Sequence, residues 1–302
     1  MRAWIAGQAR NDAAGPGSLQ SCVMRQFLRH YLLAVQFFTR IPVTGALADW
    51  VGYSPAMLRA SAAHFPGIGW LVGGVAAGVY MLLLTLLPST GFTPLVAATL
   101  STVVSVLLTG GFHEDGLADV ADGLGGSRDS QRALEIMKDS RIGAFGALAL
   151  VLVLGCKFAL LALLGSVESA TPDAEEARVD GWLVASALFA AHVVSRGLPL
   201  LLIRALPHVG DTASSKSKPL ADQITRRSLL IAFVWCFGAL ALVAWVQPAI
   251  NLIAACSFSL VALLWMGQLF RRRLQGFTGD CLGATQQVCE IAFYLGLAVG
   301  FP

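Results

Sequence analysis

Asp115, Asp119 and Asp122 recur at i, i+4 and i+7, a spacing that places all three on one face of a helix with 3.6 residues per turn. Like charges stacked in this way repel by roughly a few tenths of a kcal/mol per pair. The arrangement therefore calls for a counter-charge, and a hard divalent cation such as Mg²⁺, which takes oxygen ligands, supplies one. His113 precedes the carboxylates, where an imidazole can orient a bound group or act as a base near neutral pH. Gly116 and Gly123 directly follow Asp115 and Asp122. Glycine weakens a helix by about 1 kcal/mol relative to alanine, which makes sense if a bulky phosphate must approach the backbone. Downstream, Arg128, Arg132, Lys138 and Arg141 supply the positive charge that phosphate recognition requires. The bland alternative is a solvated acidic helix neutralised by its own basic neighbours. The sharper reading is metal-assisted chemistry on a pyrophosphate. Two classes share it: transferases that move a phosphoalcohol from a nucleotide carrier, and prenyl transferases that ionise an allylic diphosphate. Spacing alone does not separate them.

The elements that must position these groups are membrane helices. Of the 302 residues, 56% are apolar and 13% charged, against about 25% charged in soluble domains, and the mean hydropathy is +0.69. Disorder and an ordinary soluble fold are excluded. Apolar stretches long enough to cross the roughly 20-residue bilayer core run over 66–87, 91–109, 142–164, 181–202 and 281–301. The 43 residues between Arg227 and Arg271 carry no charge and divide at Gln247-Pro248, where proline ends a helix. The expected fold is all-α, a polytopic bundle of about seven transmembrane helices. A shorter apolar run at 31–38 is placed on the membrane surface as an N-terminal interfacial helix. Residues 1–23 are expected to be a disordered, dispensable extension, with Met24 as the natural start, and residues 24–302 a single membrane-embedded domain. The cysteines form no CxxC pair or zinc-like spacing and read as small apolar packing residues.

Alternating the spans puts 18 of the 21 basic residues on one side, and Arg178 alone on the other. Cytoplasmic loops collect Lys and Arg, so the acidic segment is expected to face the cytoplasm. The net charge of +3 favours no nucleic-acid partner.

The sequence HEDGLADVADG at His113–Gly123, followed by RALEIMKDSRIGAFG at Arg132–Gly146, closely resembles the signature of the cobalamin synthase family of vitamin B12 assembly. FFTRIP at Phe37–Pro42, HFPGIGWLVGG at His64–Gly74, SRGLPLLLIRALP at Ser195–Pro207, KSKPLA at Lys216–Ala221 and GFTGDCLGATQQVCE at Gly276–Glu290 are also similar to it, in order along the chain. Gln275 departs from the pattern, standing where a small residue is expected before Gly276. The resemblance implies a Mg²⁺-dependent enzyme of the bacterial cytoplasmic membrane. It would join adenosylcobinamide-GDP to α-ribazole or α-ribazole 5′-phosphate and release GMP. It points to Asp115, Asp119 and Asp122 as metal ligands, with Glu114 and Asp139 as further candidates, and to His113 as base or hydroxyl-orienting group. By the same likeness Lys216 and Lys218 are expected to contact the guanosine diphosphate, alongside Arg128, Lys138 and Arg141. Asp280, after Thr278-Gly279, caps the last helix or reaches the metal. Lys157, His192, Arg196 and Glu290 fall within spans and should face the bundle interior, either paired there or walling a corrinoid cavity. Self-association stays open. Competing readings are a phospholipid-forming transferase using a CDP-alcohol donor, whose motif continues with an Ala-Arg pair missing after Gly123, and a divalent-cation transporter, which should show paired halves and midplane carboxylates.

Overall fold

Helices carry almost all of residues 16–169, 181–210 and 224–300, the part of the chain that the structure, a computed structural model, describes. In chain order they are α1 (Pro16–Phe38), α2 (Gly45–Val51), α3 (Pro55–Ser61), α4 (Phe65–Leu86), α5 (Thr93–Thr109), α6 (Phe112–Gly126), α7 (Ser130–Met137), α8 (Ala144–Ser169), α9 (Trp182–Gly197), α10 (Leu200–Ala205), α11 (Arg226–Val246), α12 (Leu252–Arg273) and α13 (Gly279–Val299). No strand occurs among the described residues; His208 and Phe277 form an isolated bridge. The surface helix α1 is longer than the apolar run that announces it, and it begins within the expected extension. Lys216 and Lys218 lie outside the described residues.

Six stretches are long and apolar enough to cross a membrane, namely Pro55–Leu86, Ala144–Glu168, Trp182–Ala205, Arg226–Val246, Leu252–Arg273 and Gly279–Val299. The seventh expected span is α5, only 17 residues long. It reaches the length of the other spans only together with α6, from which it is bent by 89°. The bend falls at Gly110 and Gly111, whose φ values of 70° and 71° lie in the left-handed region that L side chains avoid. So the acidic segment is a helix, as the one-face spacing of its aspartates requires, and it turns away from the span. Its four carboxylates, Glu114, Asp115, Asp119 and Asp122, place α6 at the membrane surface, outside the spans, since charge is costly in hydrocarbon.

Small residues let the spans approach closely. A Cβ on Gly69 of α4 would collide with the His192 carbonyl and stand 2.6 Å from the Val193 Cα of α9. Gly73, four residues on, would bring a Cβ within 3.0 Å of the Phe189 Cα. This is the small-residue packing of membrane helices, where dispersion rather than water drives association.

α13 packs against α6, α8, α9 and α12 and carries the centre of a buried polar network. Lys157 Nζ donates to Glu290 Oε1 at 2.6 Å, Tyr294 Oη donates to the same oxygen at 3.0 Å, and Gln286 Nε2 donates to Glu290 Oε2 at 2.7 Å. His192 Nδ1 lies 3.6 Å from Oε2 and 2.9 Å from an Arg196 nitrogen. These charged side chains face the interior as expected and hold one another there, with Lys157 3% and Glu290 1% exposed. Such pairing offsets the desolvation that an isolated buried charge suffers.

Gln275 is the described non-glycine residue with positive φ, at 61°. The departure noted in the sequence therefore sits where a left-handed residue is needed, which is why a small residue suits it. Next to it, a Cβ on Gly276 would run into the Pro207 carbonyl, and Phe277 N donates to that carbonyl at 3.0 Å. We expect Gln275→Gly to raise stability in detergent by about 0.5–1 kcal/mol, measured as a higher thermal midpoint; an unchanged or lower midpoint would contradict the strain.

Candidate active site

Three contacts fix α6. At its start, a Cβ on Gly110 would run into the Arg40 guanidinium, while Arg40 N donates to Leu108 O at 2.7 Å. Along its length, α6 lies against the start of α13: a Cβ on Gly116 would stand 2.9 Å from the Asp280 carbonyl oxygen, and one on Gly283 would stand 3.3 Å from the His113 Cα. At its end, Arg273 of α12 donates to Leu124 O at 2.9 Å and Ser127 O at 2.6 Å, a cation where the helix dipole is negative. The sequence reading saw Gly116 and Gly123 as room for a phosphate. The space beside them is instead filled by protein, Asp280 at the first and Ala133 and Met137 at the second.

The three aspartates share a face, as their spacing requires, but they do not share surroundings. Asp115 is exposed, Asp119 half-buried and Asp122 buried. Asp115 and Asp119 line a cleft of about 710 Å³, together with Arg40, Gly110, Gly111 and Glu114. Burial first, and then the charges of Asp280, Asp115 and Asp122, push the Asp119 carboxyl up to about 7. Negative charge is thus crowded here, and no ion pair to Asp115 or Asp119 forms among the described residues. Asp280 is brought to the cluster rather than spent on capping: Thr278 caps α13, its Oγ1 accepting from Cys281 N, while donating to Asp280 Oδ2 at 3.2 Å.

Asp122 faces α8. Its Oδ2 accepts from Gly143 N at 2.7 Å and its Oδ1 from Gly146 N at 2.8 Å, so both oxygens satisfy amides at the start of the next span, where a carboxylate is favoured. We expect Asp122→Asn to lower stability by about 1–2 kcal/mol and to leave the metal requirement of any activity unchanged. A variant of parental stability whose metal requirement rises would return Asp122 to the cleft.

The remaining candidates separate. Glu114 accepts from Gln287 Nε2 at 2.9 Å through Oε1, its Oε2 is buried without a partner among the described residues, and burial above all raises its carboxyl. His113 is 1% exposed, its ring stacked on Phe65 at 5.6 Å. It does not line the cleft, and burial foremost, then Arg196, holds its pKa well below the ordinary value. Asp139 pairs with Arg141 at 2.5 Å, which lowers its carboxyl to about 2, and neither residue lines the cleft. Arg128 and Lys138 are exposed beyond α6 and α7. Arg40 was missed as a site residue. The signal was an arginine closing an apolar run just before Ile41-Pro42, next in space to a segment remote in sequence.

The donor chemistry suits Mg²⁺. The ion usually keeps several waters and takes one or two carboxylates plus substrate phosphate oxygens, so Asp115 and Asp119 suffice as protein ligands. As they stand, no three carboxylate, histidine or cysteine groups among the described residues could hold an ion alone.

The chain matches the family model of cobalamin-5-phosphate synthase over residues 30–298. It is 74% identical to a Polaromonas naphthalenivorans protein named adenosylcobinamide-GDP ribazoletransferase, over 91% of this chain and 99% of that one. Proteins of the same name from Albidiferax ferrireducens and Vibrio cholerae are 64% and 40% identical, covering 92% and 91% of this chain and 100% and 95% of theirs. No solved structure matches.

Proposed function

The chain belongs to the cobalamin-5-phosphate synthase family, transferases of cobalamin synthesis, and from that premise we propose that it joins adenosylcobinamide-GDP to α-ribazole or its 5′-phosphate in the acidic cleft and releases GMP. The observation that carries this reading is the pairing of Asp115 and Asp119 with Arg40 around one cleft at a membrane surface. A corrinoid nucleotide is too large to be enclosed by a cavity of about 710 Å³, so the cleft receives its diphosphate while the corrin ring stays outside.

In the reaction a ribose hydroxyl of the ribazole attacks the phosphorus that carries the cobinamide, that P–O bond forms, and the bond to GMP breaks. Mg²⁺ bound by Asp115 and Asp119 would neutralise charge on the diphosphate and stabilise the leaving phosphate. Arg40 fits the phosphate oxygens as a charge-assisted donor. Glu114 lines the cleft and, with an oxygen that has no partner among the described residues, would accept the proton of the attacking hydroxyl once substrate reaches it, while Gln287 holds it in position through the other oxygen. His113, sealed beneath Phe65, supports α6 and does not meet substrate. The carboxylates lie on a surface helix and not at a bilayer midplane, which favours this reading over a transporter.

The test is purified protein in detergent, supplied with adenosylcobinamide-GDP, α-ribazole and Mg²⁺. The reading predicts GMP and a coupled corrinoid product in equal amounts; neither product forming with either form of the acceptor would overturn it.

The excess of basic residues on the loops of one side supports a cytoplasmic position for the cleft. A reporter fused after Arg128 should read cytoplasmic, and one placed between Glu168 and Asp180 should read external. Both reporting the same side would refute this topology.

A further inference from the structure

A second cavity, of about 740 Å³, lies between α1, the α3–α4 junction and the start of α11. Arg59, Arg227, His30, His64, Phe27 and Ile231 are among its walls, and no carboxylate lines it among the described residues. Among the described residues neither arginine has an ion-pair partner. Anchoring of basic loops accounts for exposed arginines beside a membrane, but not for a walled cavity that ends on a buried histidine. His64 is 1% exposed and sits in an aromatic box, its ring 4.6 Å from Phe27 and 6.1 Å from Tyr31. Trp235 Nε1 donates to His64 Nδ1 at 3.3 Å. An indole only donates, so the neutral imidazole carries its hydrogen on Nε2 as a second donor, on a ring that lines the cavity. Burial, and then the charges of Arg29 and Arg227, lower the pKa of His30, in keeping with a positive field across the cavity.

Two exposed guanidinium groups with no ion-pair partner among the described residues, the imidazole N–H of His64 and an apolar wall of Phe27 and Ile231 define one ligand chemistry. We propose that this cavity binds a phosphate ester with a flat or apolar body, at a site separate from the acidic cleft. Two sources have that chemistry, a soluble aromatic phosphate ester and an anionic lipid headgroup, since the cavity lies where the apolar stretches Pro55–Leu86 and Arg226–Val246 begin. The proposal does not depend on the transferase reading.

The test uses the full-length protein in a phosphorus-free maltoside detergent, with EDTA to keep metal from the acidic cleft. Phenyl phosphate is the soluble probe, followed by the width of its ³¹P resonance; retention of added phosphatidylglycerol through purification is the lipid arm. The expected result is that Arg59→Gln/Arg227→Gln weakens binding of at least one probe by about tenfold or more, while Asp119→Asn does not. Arginine-dependent binding of phenyl phosphate that persists in phosphatidylglycerol assigns the site to a soluble ester. Arginine-dependent retention of the lipid, with phenyl phosphate displaced or unbound, assigns it to a headgroup. If the double variant binds both probes as the parent does, or if the parent binds neither, the proposal is overturned.

Discussion

Asp119→Asn and Asp115→Asn are each expected to lower turnover by about 100-fold or more, a loss of about 2.7 kcal/mol of transition-state stabilisation, while the protein still inserts and purifies normally. Asparagine keeps the shape of aspartate and removes one anionic oxygen. If the carboxylates were only solvated charges, this change would relieve the repulsion that, after burial, raises Asp119 and leave turnover unchanged. As metal ligands they behave oppositely, because the charge that weakens the empty site is what holds the cation and, through it, the leaving phosphate. Asp115 is exposed, so its replacement disturbs no packing and its effect is read on chemistry alone. Initial rates of GMP release at saturating substrates measure both variants against the parent.

The second large effect concerns stability. Glu290→Gln should destabilise the bundle by about 3–5 kcal/mol, seen as loss of monodisperse protein in detergent and a lower thermal midpoint. The substitution leaves the Lys157 ammonium, 2.6 Å away, with no anionic partner in a site where both side chains are almost fully buried. It also alters the acceptor shared by Gln286 and Tyr294. Replacing both ions, as Lys157→Met/Glu290→Leu, should recover part of that loss, since apolar side chains in place of a buried pair remove the desolvation penalty along with the attraction. A Glu290→Gln protein as stable as the parent would show that the network is not what joins α8, α9 and α13.

Much of this was legible along the chain. Uncharged runs gave away the spans because backbone in lipid must satisfy itself as helix, and the four-residue recurrence of Asp115 and Asp119 placed them on one face. What misled was any residue whose meaning depends on a distant neighbour. Gly116 looks the same whether a phosphate or the Asp280 backbone lies against it. The apolar stretch ended at residue 109, but nothing in it showed that a second helix begins three residues on, bent by 89° at Gly110 and Gly111. Asp122 matched its two companions in spacing, yet its oxygens go to amides 21 and 24 residues downstream, a contact made only when α6 folds onto α8. Arg40 lay outside the acidic segment altogether and joins it through the Leu108 carbonyl. Gln275 was visible as an oddity, and only its φ gave the reason.

The measurement that bears most directly on the acidic cleft is a Mg²⁺ titration of GMP release, run on the parent and on Asp119→Asn side by side. Removing one anionic ligand should weaken metal binding, so the variant is predicted to need about tenfold or more Mg²⁺ to reach half its maximal rate and to reach a maximum well below the parental one. Parental turnover in Asp119→Asn with an unchanged Mg²⁺ requirement would contradict the account and remove the metal from α6.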